Sequence, residues 1–218
     1  MAHLRSVNLA RPRPNPARPN AAGTGIDKRP TDRSVLVTAP VEAGGSGLAG
    51  DVIFDTDHHG GAVQAVYAYA GETLDAWAAE LGREFSDGSF GENLTTSGLE
   101  VDGALIGERW RVGERLLLEV TVPRIPCSTF ADWLEEQRWV KRFTQRALPG
   151  AYLRVLEPGE IRVGDTVTVE HRPTHDLTVA ETFRALTLEP ALLPRLLEVA
   201  ELPEKTRDRV RTRLSARV

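Results

Sequence analysis

Short apolar runs broken by glycine and proline fill residues 1–172, which restricts this stretch to brief strands joined by turns. Leu116-Leu117-Leu118-Glu119-Val120-Thr121-Val122 is the clearest strand, β-branched toward its end and stopped by Pro123. Leu4–Leu9 alternates weakly, and Val35–Val37 is a compact apolar run. Ala151–Leu156, Glu160–Val163 and Thr166–Val169 follow, separated by turn signals at Pro158-Gly159 and Gly164-Asp165. Such a pattern favours a barrel or sandwich over a doubly wound sheet. The predicted class is mainly β with α insertions.

The insertions have helical spacing. Glu72–Leu81 places Leu74, Trp77, Ala78 and Leu81 on one face, with Gly82 as a stop. Phe130–Gln137 and Val140–Ala147 are also predicted helices, ended by Pro149-Gly150. After His171-Arg172-Pro173 the character changes. Thr178 and Glu181 form a capping-box signature, Val179, Phe183 and Leu186 follow at helical spacing, and Pro190 and Pro203 suit first helical turns. The expected organisation is a β domain over 1–172 and a three-helix appendage over 173–218.

Composition narrows the function classes. The chain has 218 residues, 41% hydrophobic and 27% charged, and a formal net charge of -4. That charge argues against bulk attraction to nucleic acid or anionic lipid. A basic run in the last helix (Lys205, Arg207, Arg209, Arg211, Arg213) is better explained as a solvated face than as a groove reader. No stretch reaches membrane-spanning length, and the early RPRPNPARPN reads as an extended surface loop. The single cysteine, Cys127, excludes an intramolecular disulfide and fits a reducing, cytoplasmic setting.

Four stretches carry candidate chemistry. In PRIPCSTFADWL (123–134), Thr129 and Asp132 suggest a capping box, which sets Cys127 just outside a helix N-terminus with Arg124 nearby in sequence. Both neighbours favour a thiolate, the form a nucleophile or soft-metal ligand needs; an inert buried cysteine is the competing reading, and spacing leaves both open. GSFGENLTTSGL (88–99) offers backbone N–H groups with Asn93, Thr95 and Thr96, suited to an anion or a polar cofactor, although a glycine-rich hairpin without a ligand explains it equally. DVIFDTDHHGG (51–61) pairs His58 with His59 beside aspartates. Adjacent strand residues point to opposite faces, so one histidine is expected to line a site while the other faces solvent or packs. GTGIDKRP (23–30) puts Lys28 and Arg29 behind a flexible turn, and a solvated loop is the simpler reading there. Nucleophile elbows, P-loops, H-E-x-x-H and CxxC are absent from the sequence.

Taken in order, TGIDKRP, GLAGDVIFDTDHHGG, AVYAY, GSFGENLTTSGL, IGERWRVG and PRIPC resemble a MOSC domain, of the bacterial branch linked to 6-N-hydroxylaminopurine resistance. The likeness spans roughly residues 4–172, and the three terminal helices resemble that branch's helical appendage. It implies a β-barrel-like core and a molybdenum cofactor (molybdopterin) held through Cys127 as metal ligand and catalytic centre. Lys28 and Arg124 would serve the pterin phosphate end, with His59, Asn93 and Thr95 also at the cofactor. The resemblance implies detoxifying reduction of a small N-hydroxylated substrate (hydroxylaminopurine, amidoxime or hydroxylamine), fed by an external electron-donating reductase. A non-catalytic sulfur (persulfide) or cofactor carrier using the same cysteine is the alternative. Ser128 after the cysteine, and Ala62-Val63 where an acidic residue is common, depart from the pattern.

Overall fold

The computed structural model describes residues 1–42 and 44–216. Its strands are β1 (His3–Ala10), β2 (Lys28–Thr31), β3 (Val35–Val37), β4 (Val66–Ala70), β5 (Leu94–Ser97), β6 (Arg109–Val112), β7 (Leu116–Pro123), β8 (Ala151–Glu157), β9 (Gly159–Ile161) and β10 (Val167–His171). Between them run α1 (Gly71–Leu81), α2 (Ser128–Leu134) and α3 (Trp139–Arg146). After them come α4 (Val179–Thr187), a 3₁₀ turn (Pro190–Leu192), α5 (Leu193–Leu196) and α6 (Glu204–Ser215).

Eight strands form one sheet in the order β10-β6-β7-β8-β4-β5-β1-β2, and β3 pairs with β9 apart from it. Among the described residues the named strand pairs do not by themselves close this sheet into the expected barrel. Its two ends meet where β1 begins: His3 bridges Thr166, Leu4 N donates to Asp165 O at 2.8 Å, Gly164 N to Leu4 O at 2.9 Å and Val167 N to Ala2 O at 2.9 Å. One pair, β4 with β5, is parallel, and α1 makes the crossover such a pair requires.

Local chemistry sets the boundaries. Gly82 ends α1 at φ 62°, with its N–H returned to Ala78 O. Thr178 accepts from Glu181 N at 3.1 Å at the start of α4. The predicted Thr129–Asp132 box does not form: Cys127 itself is the N-cap of α2, without a side-chain cap, and the Thr129 hydroxyl instead accepts from Asn15 Nδ2 at 3.2 Å.

Two hydrophobic clusters flank the sheet. One joins Leu118, Val120 and Ile106 to Val179, Ala185, Leu196 and Val210, so the C-terminal helices share a core with the strands. Ile106 N donates to Leu177 O and Val179 N to Ala104 O, adding backbone bonds to that contact. The other cluster is aromatic and gathers Tyr67, Tyr69, Trp77, Phe90, Phe130, Trp139 and Phe143 between β4 and the first three helices. Most of its rings meet at tilted or edge-on angles, as between Phe90 and Phe130 at 5.3 Å, a geometry worth about 0.5–1.5 kcal/mol per pair beyond area.

Candidate active site

Four neighbouring strands, β5-β4-β8-β7, bring their ends to one cleft of about 730 Å³. Asn93 precedes β5, Tyr67 lies in β4, Tyr152 faces it across the ladder from β8, and Arg124 follows β7. Cys127 lines the same cleft, partly exposed, at the point where β7 has ended and α2 begins. Pro123 and Pro126 keep the intervening residues out of both elements.

Arg124 is 4% exposed, and among the described residues no carboxylate lies within ion-pair reach of it. Its guanidinium stacks 3.7 Å from the Phe130 ring centre and donates to Phe90 O at 2.9 Å. Burial acts to lower its proton affinity, but Tyr67, Tyr152 and Cys127 outweigh that and hold it charged. A buried cation lacking a carboxylate, beside a cleft, is a place for an anionic ligand.

Lys28 also lines the cleft, but its charge is already matched. Its Nζ lies 2.6 and 2.7 Å from the two Asp51 oxygens. Asp51 further accepts from Ala10 N at 2.7 Å, Ser46 Oγ at 2.7 Å and Asn93 Nδ2 at 2.9 Å. Desolvation pushes the Asp51 carboxyl up, and Lys28 with these donors pulls it below its ordinary value. Asn93 is similarly committed, its Oδ1 accepting from Tyr67 N at 3.1 Å. Arg124, not Lys28, therefore supplies the cleft's uncompensated positive charge.

The glycine-rich loop is not a free cradle. Gly88 N and Phe90 N donate to the buried Glu92 carboxylate at 2.6 and 2.9 Å, and Thr95 Oγ1 donates to it at 2.9 Å. Thr95 is fully buried and is not among the residues that line the cleft. Thr96 is also buried. The anion these N–H groups hold is the loop's own side chain. Burial pushes that carboxyl up to about 7, against the pull of its donors.

The histidines diverge, although in a turn and not on a strand. His58 and His59 both donate their backbone N–H to Asp55 O, at 3.3 and 3.0 Å. His58 then turns outward with Nδ1 2.9 Å from Asp55 Oδ1, while His59 lines the cleft with Nδ1 3.4 Å from Tyr152 Oη. Burial, then the Arg124 charge, lowers His59 to about 4, so its ring is neutral near pH 7. Among the described residues no group of three or more His, Cys, Asp or Glu is placed to hold a metal ion. Cys127 is thus a single soft ligand.

The early proline-rich segment is a wall of this site as well as a surface loop. Asn15 lines the cleft and reaches Thr129, Arg13 lies 5.0 Å from the Trp133 ring centre, and Arg18 pairs with Asp55. Sequence reasoning missed Asp51, Tyr67, Glu92 and Tyr152 as site residues, although Asp51, Glu92 and Tyr67 lay in stretches already singled out.

A thiol and an arginine without a carboxylate partner thus stand together at one end of a mixed sheet. Residues 55–168, just over half of the chain, match the family model for the MOSC domain. The chain belongs to the MOSC family, on the branch of YiiM and YflK. It is 32% identical over 174 residues to the uncharacterized protein YflK of Bacillus subtilis, covering 80% of this chain and 76% of that protein. It is also 32% identical over 167 residues to a protein named Reductase from Gibberella moniliformis, covering 75% of this chain but only 30% of that longer protein. The crystal structure of YiiM from Geobacillus stearothermophilus superimposes with a TM-score of 0.78 at 27% identity, covering 98% of this chain and all of that one. Among the described residues no helix is long and apolar enough to cross a membrane.

Proposed function

We propose that this protein binds a molybdenum–pterin cofactor in the cleft and reduces N-hydroxylated compounds of the hydroxylaminopurine, amidoxime or hydroxylamine type. The observation that carries this reading is the pairing of a part-exposed Cys127 with buried, carboxylate-free Arg124 in one cleft. A single sulfur donor suits a metal whose remaining ligands come with its own cofactor, and thiolate suits a polarisable metal. Family membership and a relative named Reductase point the same way.

Bound there, the cofactor supplies two-electron redox chemistry at its metal. Cys127 would hold its metal, and Arg124 would balance its negative charge. Tyr67 and Tyr152 form an aromatic wall, with ring centres 5.1 Å apart, that limits water at the reacting end. The electrons come from an external reductase. The protein acts in the cytoplasm, where such a partner and a reduced Cys127 coexist.

Purification from hosts with and without pterin-cofactor synthesis tests the reading. Molybdenum near one atom per chain is expected only from the competent host, and equal metal from both would reject it. Cys127→Ala should fold, fail to retain molybdenum and lose activity; full activity would remove the cysteine from the mechanism. Loaded protein that turns over no N-hydroxylated compound with reduced viologen would leave a carrier role instead.

A further inference from the structure

The strongest unassigned feature of the cleft is the contact between Tyr152 Oη and His59 Nδ1 at 3.4 Å. We propose that Tyr152 fixes neutral His59 as the Nε2–H tautomer, and that this N–H donates a hydrogen bond to the oxygen leaving the substrate's N–O bond. The inference rests on the reductive reading above and assigns a donor to it.

Both partners are held firmly. Tyr152 sits in β8 opposite Tyr67, with its ring packed against that neighbour. His59 is fixed by the turn that returns its N–H to Asp55, and by Gly60 behind it. Gly60 has φ 74°, and a Cβ there would lie 2.2 Å from Gly44 O, so this close approach admits only glycine.

The phenol oxygen can donate to Nδ1 or accept from it, and we take it as the donor. Tyr152 Oη has His59 Nδ1 as its hydrogen-bond partner among the described residues. A hydroxyl donating to Nδ1 leaves that nitrogen unprotonated, and a neutral imidazole must then carry its proton on Nε2. Burial, against the Arg124 charge, pushes Tyr152 up to about 12 and keeps it a phenol, while burial and then the Arg124 charge oppose an imidazolium at His59. Nε2 has no protein partner among the described residues, and its ring lines the cleft. It is therefore available to a ligand.

The reaction balances as R–NH–OH + 2 e⁻ + 2 H⁺ → R–NH₂ + H₂O. The N–O bond breaks, the nitrogen is reduced by the reductase's two electrons, and the oxygen leaves as water with solvent-derived protons. Negative charge develops on that oxygen as the bond lengthens, and a preplaced donor stabilises it. Tyr152 acts through His59 and is a positioning residue.

Two measurements on the cofactor-loaded full chain test this. In ¹⁵N-histidine NMR, the resonance lost in His59→Gln should show protonated Nε2 and bare Nδ1, and Tyr152→Phe should shift it toward a tautomer mixture. A ring protonated on Nδ1, or one indifferent to Tyr152→Phe, overturns the tautomer assignment. In turnover of 6-N-hydroxylaminopurine with reduced viologen, rates are taken per bound molybdenum. His59→Phe should lower kcat by roughly 10²-fold or more, the scale for losing one preplaced donor, with KM little changed. His59→Gln, which keeps an N–H, should recover part of it. A wild-type rate in His59→Phe defeats the donor role while the reductive reading stands. An inactive wild-type protein defeats that reading and this inference together.

Discussion

Lys28 and Asp51 form an ion pair inside the protein, with Nζ 2.6 Å from Oδ1 and side chains 8% and 0% exposed. The pair welds β2 to the segment that leads to His59, and through Asn93 it reaches β5. Breaking one half of such a pair strands the other charge in a medium that cannot solvate it. Asp51→Asn should cost about 3–5 kcal/mol in urea unfolding. Adding Lys28→Met should recover much of that loss; a double variant no more stable than the single would place the cost in the other Asp51 bonds.

Arg124 presents the opposite case. Arg124→Met loses a desolvated cation–π contact worth about 2 kcal/mol and one hydrogen bond worth about 1 kcal/mol, but removes an uncompensated buried charge. These effects offset. The melting temperature should move by less than about 4 °C, while molybdenum retention on gel filtration falls at least tenfold. Unchanged retention would take Arg124 out of the binding site.

Gly88 and Gly82 separate strain from crowding. Both have positive φ, but a Cβ on Gly88 would lie 2.5 Å from Lys28 O, whereas Gly82 has nothing within 4 Å. Gly82→Ala should cost about 1 kcal/mol, the left-handed penalty alone. Gly88→Ala should cost clearly more, because backbone cannot give way, and equal costs by chemical denaturation would show that the loop around Gly88 relaxes.

Asp102 makes stability depend on pH. Burial pushes its carboxyl up from its ordinary value to about 6, against a single bond from Gly150 N at 2.8 Å. The folded state holds this proton more tightly than the unfolded one. Its contribution is complete below the unfolded value and is lost as pH rises toward and through 6. Asp102→Asn keeps an acceptor for Gly150 and cannot ionise. Relative to the variant, wild type should therefore lose about 2–3 kcal/mol between pH 4 and pH 7, read from paired melting curves. Parallel curves would show that Asp102 does not titrate on unfolding in that range.

Much of the fold was legible because its signals are local. Leu116–Pro123 is a strand buried at every position, as its apolar run and terminal proline require. Gly82 stops α1 and Thr178 starts α4 through atoms only a few residues away. The site was legible in part. Its segments were marked by residue type, and Cys127, Lys28, His59, Asn93 and Arg124 do line one cleft. What each segment binds was not legible: residues 88–95 look like an anion loop and are one, with Glu92 as the anion.

By itself the sequence determined some of the element boundaries, such as the strand ending at Pro123, the stop at Gly82 and the start at Thr178, and that the molecule has one sulfur nucleophile to offer. Those facts follow from backbone sterics and side-chain period, which act over a few residues. The tertiary structure alone decided that Lys28 is neutralised and Arg124 is not, that Thr95 turns away from the cleft, and that His59 meets Tyr152 across 93 residues of chain. Partnership between charges depends on strand order, and strand order is set by the burial of the whole sheet.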